Sequence, residues 1–304
     1  MKKILFIYNK KGKHMSFKSG IHTEWVKDCK DIYNVEYWGK GFTNTSLQSL
    51  KNKIDSFKPD FIYTTMKNKY KYWLPDLTNI TVPKIHIEVD TCYYDANDPW
   101  YKQFDKLYCR QAIWNQKNIQ YNELLETKKE FRLKLKQANT WINIPVLHWS
   151  TTKKFFIKPP QKRKYIRFVG NYKKPQFLYR KKLQSLLRES HCEFVKISGI
   201  NKYISLLCST SALVCPTESN YGDYVPAKLF EFLASGAAVF TNCDLKTYGT
   251  PELKKYIIKY NSIDNLKYKL KHTNFTNYYN KAIEIMKERY LHEIRYGDLF
   301  NGKI

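Results

Sequence analysis

The chain is short of acid. Its 304 residues carry 27 Asp and Glu against 53 Lys and Arg, a formal charge of +26. The shortage is concentrated. No carboxylate occurs between Glu130 and Glu189, a stretch with 16 Lys or Arg, and residues 1–23 hold six lysines and no acid. Long apolar runs are also missing: the longest, Phe230 to Phe240, still contains Ser235 and Gly236, well short of the roughly 20 residues of a membrane helix. Met1-Lys2-Lys3 followed by Ile4-Leu5-Phe6-Ile7-Tyr8 has too short an apolar core for a signal peptide and no small-residue cleavage site. We read that segment as a strand, and the chain as a soluble protein of the cytoplasm, the host's if the source is viral. The seven cysteines are scattered, odd in number and without a C-x-x-C pair, which excludes a disulfide framework and a structural zinc site. There is no D-x-D and no His/Asp cluster at metal-ligand spacing, so no metal is expected. Glycine is scarce, 11 in all. With abundant Lys, Asn, Tyr and Ile this indicates AT-rich coding, as in many phages, and accounts for part of the lysine excess.

What is present is a packed protein: 43% of residues are hydrophobic and 16% aromatic, enough to exclude wholesale disorder. Strand and helix patterns alternate. Strands are expected at Lys3–Tyr8, Asn34–Trp38, Asp60–Thr64, Pro83–Asp90 and Lys106–Cys109, with helices near His22–Lys30 and Leu47–Phe57 and in the charged stretch Tyr121–Lys136. An extended connection follows over Trp141–Trp149. A second series runs through strand Lys164–Val169, helix Leu178–Glu189, strands Glu193–Ser198 and Ser211–Cys215, helix Ala227–Ser235 and strand Ala237–Thr241. Near-continuous apolar strands alternating with helices imply parallel sheets covered on both faces. The expected architecture is α/β with two Rossmann-like domains, residues 1–150 and 151–304, and ligands outside the carboxyl ends of the strands.

The stretch from Cys215 to Phe240 carries the most chemistry. It reads strand, polar loop, helix, glycine stop, strand, with Pro226 suited to a helix start and Gly236 to the position just past its end. A helix N-terminus after a polar loop favours an anion. Lys228 and Glu231 lie one turn apart in that helix. They can hold two parts of one ligand, a phosphate and vicinal hydroxyls, or form an i,i+3 surface ion pair.

Lys228-Leu-Phe-Glu-Phe-Leu-Ala-Ser-Gly236 resembles the donor-site helix of the GT-B nucleotide-sugar glycosyltransferases. Phe168-Val-Gly-Asn171 followed by Arg180 is similar to the opening of the second domain in the group 1, CgeB-type (spore-maturation) branch, and Tyr290-Leu-His-Glu-Ile-Arg295 resembles its C-terminal helix. The resemblance spans about residues 164–296 and implies a GT-B fold, two domains facing across a cleft, with the last helix packing back on the first. It also implies a metal-independent hexosyl- or pentosyltransferase, with the nucleotide-sugar, expected to be a UDP-sugar, as cosubstrate and no further cofactor. Glu231 would bind the ribose, with Leu229 beside it. Gly170 and Asn171 would let the backbone approach the diphosphate or sugar, and Arg180 or Lys228 would neutralise the leaving group. Where relatives have a sugar-contacting glutamate this chain has Asp223, with Glu218 as the substitute; Tyr221 and Tyr224 border the same loop. Asp223-Tyr224 with Lys228 is also similar to a fucosyltransferase pattern, but Ala227 stands where its glutamate belongs, so no GDP-fucose donor is inferred.

An inverting reaction needs a general base at a strand end of the first domain. Asp90 is the candidate, with Glu88, Asp95 and Asp98 as rivals and a structural role open for each. None of the seven histidines forms a constellation; His148 falls in the connection between domains. The acid-free runs place Lys10, Lys11, Lys13 and Lys18 after the first strand and Lys162, Arg163, Lys164, Lys173 and Lys174 around the first strand of the second domain. Such a border attracts a polyanion. Three partners fit: DNA with a hydroxymethylated pyrimidine, delivered by base flipping in a phage-type enzyme; an anionic membrane-surface or cell-wall acceptor; or nucleic acid bound by a transferase fold that has lost activity. Basic residues on both cleft walls favour DNA. No obligate protein partner is evident.

Overall fold

The computed structural model describes residues 1–9, 24–67, 70, 72–89, 91, 94–110, 133, 136–137, 139–141, 143–156, 163–170, 178–196, 200–216, 225–243, 245–246 and 249–304. It divides into two compact units. The first comprises described residues within Met1–Gln111, Lys136–His148 and His292–Ile304, the second those within Ala112–Leu135 and Trp149–Leu291.

The first unit holds strands β1 (Lys2–Ile7), β2 (Tyr33–Trp38), β3 (Phe61–Thr65), β4 (Lys84–Glu88) and β5 (Lys106–Cys109), with helices α1 (Glu24–Asp28) and α2 (Leu47–Phe57). The strands form one parallel sheet in the order β2-β1-β3-β4-β5. A sheet with helices on both faces buries both sides of its strands, so the last four residues of β1 and all five of β4 are buried. Helix α2 is framed locally: the Ser46 hydroxyl accepts from the Ser49 N–H, and Lys58 closes the helix in the left-handed region at φ 52°. A C-terminal helix, α8 (His292–Phe300), belongs to this unit. Its Tyr296 stacks on Trp25 at 4.4 Å, and Phe300 packs against Tyr33, Phe61 and Tyr63.

The second unit contains β6 (Tyr165–Val169), α3 (Leu178–Leu187), β7 (Cys192–Val195), α4 (Ile200–Cys208), β8 (Thr210–Cys215), α5 (Ala227–Ala234), β9 (Ala238–Thr241), β10 (Ile257–Lys259), α6 (Ile263–His272) and α7 (Ile283–Arg289). Its sheet is also parallel, with the order β7-β6-β8-β9-β10. Both sheets therefore follow one plan, in which the unit's first strand lies between its second and third. The strand order reverses at that point, and ligands bind outside the carboxyl ends beside it.

Helices α4, α6 and α7 and strand β10 were not anticipated. Helix α4 lies where the sequence suggested two strands in direct succession; parallel neighbours need a covering crossover, and this short helix supplies it. Strand β10 has only three residues, too few for a visible alternation. The expected helix over Tyr121–Lys136 falls largely outside the described residues. Among the described residues no helix is long and apolar enough to cross a membrane.

Candidate functional site

Helix α5 begins after Pro226, whose extended backbone (φ −72°, ψ 146°) puts it at the cap position rather than inside the first turn, and no side chain caps the helix. The first turn carries no acid, so the positive end of the helix is not neutralised from within it. Lys228 reaches from this turn to the end of β6, where its Nζ donates to the Val169 carbonyl at 3.0 Å. A Cβ on Gly170 would lie 3.1 Å from that Nζ and 3.3 Å from Phe168 Cζ. The glycine thus lets the ammonium close onto the strand end. Its own N–H donates to the Val195 carbonyl at 3.0 Å, so that N–H is committed to the sheet edge. Burial pulls the Lys228 ammonium below its ordinary value; the Arg180 charge acts the same way and Glu231 opposes them. A neutral carbonyl cannot compensate for desolvating an ammonium. An anion can.

One turn further on, Glu231 Oε2 accepts a 2.6 Å hydrogen bond from the Tyr203 hydroxyl of α4. Leu229 is fully buried. Arg180, on α3, sets its guanidinium 5.9 Å from the Phe168 ring. Burial, Cys243 and Glu231 push the thiol of Cys215, at the end of β8, well above its ordinary range, while Lys228 and Arg180 act to lower it. Arg180, Lys228 and Glu231 are thereby gathered about the carboxyl ends of β6 and β8, where the strand order reverses. Asn171, Glu218, Tyr221, Asp223 and Tyr224 lie outside the described residues.

The end of β4, the fourth strand of the first unit, is built differently. Glu88 is fully buried. Its Oε2 accepts from the Lys67 N–H at 2.9 Å and the Tyr101 hydroxyl at 2.8 Å, its Oε1 from the Val89 N–H at 2.9 Å, and His86 Nε2 stands 3.4 Å away. Burial pushes the Glu88 carboxyl up, but His86, the Lys67 N–H and the Tyr101 hydroxyl outweigh it and hold it below its ordinary value. The carboxylate is enclosed by donors, so Glu88 is a structural anchor and not a rival general base. Asp98 caps the 3-10 turn Pro99–Gln103 through the Trp100 N–H and pairs with Lys67; Asp95 accepts from the Asn97 N–H. Asp90 lies outside the described residues.

His86 was missed in the sequence. Its Nδ1 is 2.7 Å from Thr64 Oγ1, and burial lowers its pKa against the opposing effect of Glu88. The available signal was the alternation His86-x-Glu88 in an otherwise apolar strand, which places both side chains on one face. His148 meets Arg295, Nδ1 to Nη2 at 2.5 Å, within the first unit.

The basic border is partly structural. Arg163 donates to the carbonyls of Thr210 (2.9 Å) and Ser235 (2.8 Å) and lies over the Tyr279 ring. Neighbouring Arg167 pairs with Glu193 and bonds Leu206, Ser209 and Thr210. Both guanidiniums thus have structural partners beside β6. Lys164 is exposed. Lys10, Lys11, Lys13, Lys18, Lys162, Lys173 and Lys174 lie outside the described residues. Among the described residues no three His, Cys, Asp or Glu side chains are grouped to hold a metal.

No family model matches the chain, and no curated protein matches it in sequence. Solved structures do match in fold. AviGT4, a glycosyltransferase involved in avilamycin A biosynthesis, aligns over 99% of both chains with a TM-score of 0.57 at 10% identity. HepE of Anabaena, solved in complex with UDP and glucose, aligns over 100% of this chain and 99% of its own (TM-score 0.55, 11% identity). Sucrose-phosphate synthase of Thermosynechococcus elongatus aligns over 100% and 99% (TM-score 0.53, 10% identity). The fold is that of GT-B glycosyltransferases, with two Rossmann-like units.

Proposed function

We propose that this protein is a glycosyltransferase that moves a sugar from a nucleotide-sugar, a UDP-sugar, to an acceptor hydroxyl. The observation that carries the reading is the end of β6 with α5. There an uncapped helix start, a desolvated Lys228 on the Val169 carbonyl and Glu231 one turn on meet in a fold shared with such enzymes. In this reading Glu231 takes the ribose hydroxyls, while Lys228, Arg180 and the helix start take the diphosphate. Charge develops on the diphosphate as the glycosidic bond breaks. Cations fixed before the reaction stabilise that charge without reorganising, so the leaving group departs without a required metal. Gly170 and Asn171 let the backbone lie against the sugar phosphate. If configuration inverts, Asp90 receives the acceptor proton.

The charge of +26 and the two acid-free runs support a polyanionic acceptor, for which we propose a hydroxymethylated pyrimidine in DNA. A screen with radiolabelled UDP- and GDP-sugars against unmodified and hydroxymethylated DNA tests both halves of the proposal. Label is expected from a UDP-sugar in the hydroxymethylated DNA alone. Label in an anionic lipid or wall polymer instead would replace the acceptor and keep the donor. DNA binding without transfer from any donor would identify a fold that has lost its activity.

A further inference from the structure

Four residues other than glycine adopt a positive φ among the described residues. Lys58 closes helix α2, His191 closes the 3-10 turn Arg188–Ser190, and Asn280 is of a type that tolerates the left-handed region. Met66, at φ 69°, is the exception. It follows β3, closes no helix, and carries a long side chain of a kind that rarely adopts this conformation. Such a backbone persists only where its surroundings impose it. The Met66 N–H donates to the Ile87 carbonyl at 3.1 Å, and the next N–H, of Lys67, donates to the buried Glu88 Oε2 at 2.9 Å. The Tyr70 N–H closes the turn on the Lys67 carbonyl at 2.9 Å. Tyr70 also bridges the strand ends. Direct pairing of β1 with β3 stops at Phe6 and Tyr63. Beyond it the Tyr70 hydroxyl accepts from the Thr65 N–H at 3.2 Å and donates to the Ile7 carbonyl at 2.9 Å. A side chain thus stands where the ladder would continue, beside the place where the strand order reverses.

We infer that Met66 is a specificity-determining residue for the acceptor: the strained turn after β3 presents its thioether at the carboxyl end of the first sheet, against the flat face of an acceptor ring. The inference rests on the proposed acceptor, a hydroxymethylated pyrimidine, and deepens it. Met66 is half-buried, packed in part on the core of the first unit. It lies at the strand ends next to the strand-order reversal, where ligands bind in such sheets. Its turn is tied to Ile87 and Glu88, in the strand that leads to Asp90, the residue proposed to receive the acceptor proton. A turn needed only for packing would be held with less strain by glycine or asparagine. A long side chain kept at strained backbone therefore points to a use for the side chain. A thioether is polarizable and adaptable and makes favourable contacts with aromatic rings, which suits a planar heterocycle better than a lipid headgroup or a wall polymer.

The test compares wild type with Met66→Gly, Met66→Ala and Met66→Leu, by thermal melting and by transfer from a UDP-sugar to hydroxymethylated DNA. Glycine and alanine both remove the thioether, so their order reports the backbone alone. Met66→Gly should melt about 1–3 °C above Met66→Ala, because glycine enters the left-handed region without a Cβ penalty; at an ordinary position glycine melts lower. Both should raise the acceptor KM about tenfold, the order of one lost apolar contact with a substrate, while the donor KM stays within about twofold of wild type. Met66→Leu, apolar and of similar volume, should keep the acceptor KM within about threefold. Met66→Gly melting below Met66→Ala would overturn the inference, since residue 66 would then be under no left-handed constraint. Labelled DNA from wild type with an unchanged acceptor KM in both variants would also overturn it and spare the acceptor reading. So would donor and acceptor KM rising together, which would make Met66 a general support of the first unit. A wild type that labels no hydroxymethylated DNA removes the acceptor reading and the inference with it.

Discussion

Glu88 and Glu231 sit near the carboxyl ends of two sheets with one strand order, yet they are built for different purposes. Glu88 is fully buried among N–H and hydroxyl donors, and its neighbour Lys67 is matched by Asp98. Glu231 is half-buried behind the Tyr203 hydroxyl, and its neighbour Lys228 leans on a neutral carbonyl. A carboxylate enclosed by donors stabilises a fold. In the second unit Lys228 and Glu231 act on each other, and burial still pulls the Lys228 ammonium below its ordinary value. A carboxylate near the strand ends of such a sheet thus does not by itself imply one chemistry; the partners decide.

The largest effect that would sharpen the contrast comes from the first unit. Glu88→Ala leaves three donors and His86 without their acceptor, and should cost about 3–5 kcal/mol of stability, read by chemical denaturation. A variant that unfolds at nearly the wild-type midpoint would break the comparison, because Glu88 would then be no anchor.

Lys228→Ala comes next and should act on chemistry rather than stability. If the ammonium stabilises the departing diphosphate, kcat should fall about 100- to 1,000-fold, as when one preorganised donor is removed from a charge-developing centre, with a smaller rise in donor KM. A pure KM effect would place Lys228 in ground-state binding instead. Gly170→Ala should reproduce part of the loss, since its Cβ would meet the Lys228 ammonium.

These predictions draw on features of unequal visibility in the sequence. Lys228-Leu-Phe-Glu-Phe-Leu-Ala-Ser-Gly236 showed its helix because the apolar positions Leu229, Phe230, Phe232 and Leu233 make one buried face and Gly236 ends it in the left-handed region, at φ 72°. The parallel sheets were legible for the same reason: strands buried on both faces read as apolar runs. Partners across the sequence were not legible. Tyr203 meets Glu231 across 28 positions, and Arg163 spends its guanidinium on Ser235 across 72. A basic run therefore reads alike whether its side chains face a polyanion or brace a strand. His86 was passed over because, in the same strand, Glu88 and Asp90 drew the attention as carboxylates.

A smaller effect separates the two halves by pH. Burial lowers the His86 pKa, so the folded state prefers the neutral ring while the unfolded chain takes up a proton below about pH 6.5. Stability should then fall on acidification below that value, by up to about 1.4 kcal/mol per pH unit for this one group. Denaturation midpoints between pH 7.5 and 5.5 read the slope, and His86→Gln should flatten it. An unchanged slope would mean that His86 is not held neutral by its burial. The smallest effect concerns the basic border: Lys164→Glu should weaken DNA binding several-fold at low salt, whereas Lys254→Glu, exposed elsewhere on the second unit, should matter less. Equal effects would make the charge bias compositional.

The central claim is that α5 with the end of β6 holds a nucleoside diphosphate. Titration calorimetry with UDP on wild type, Glu231→Ala and Lys254→Ala tests it most directly. The account predicts saturable binding to wild type and to Lys254→Ala, and a loss of about 1–3 kcal/mol in Glu231→Ala with an unchanged melting temperature. Equal UDP affinity in all three, with Glu231→Ala fully folded, would contradict it and leave Glu231 an ordinary helix residue.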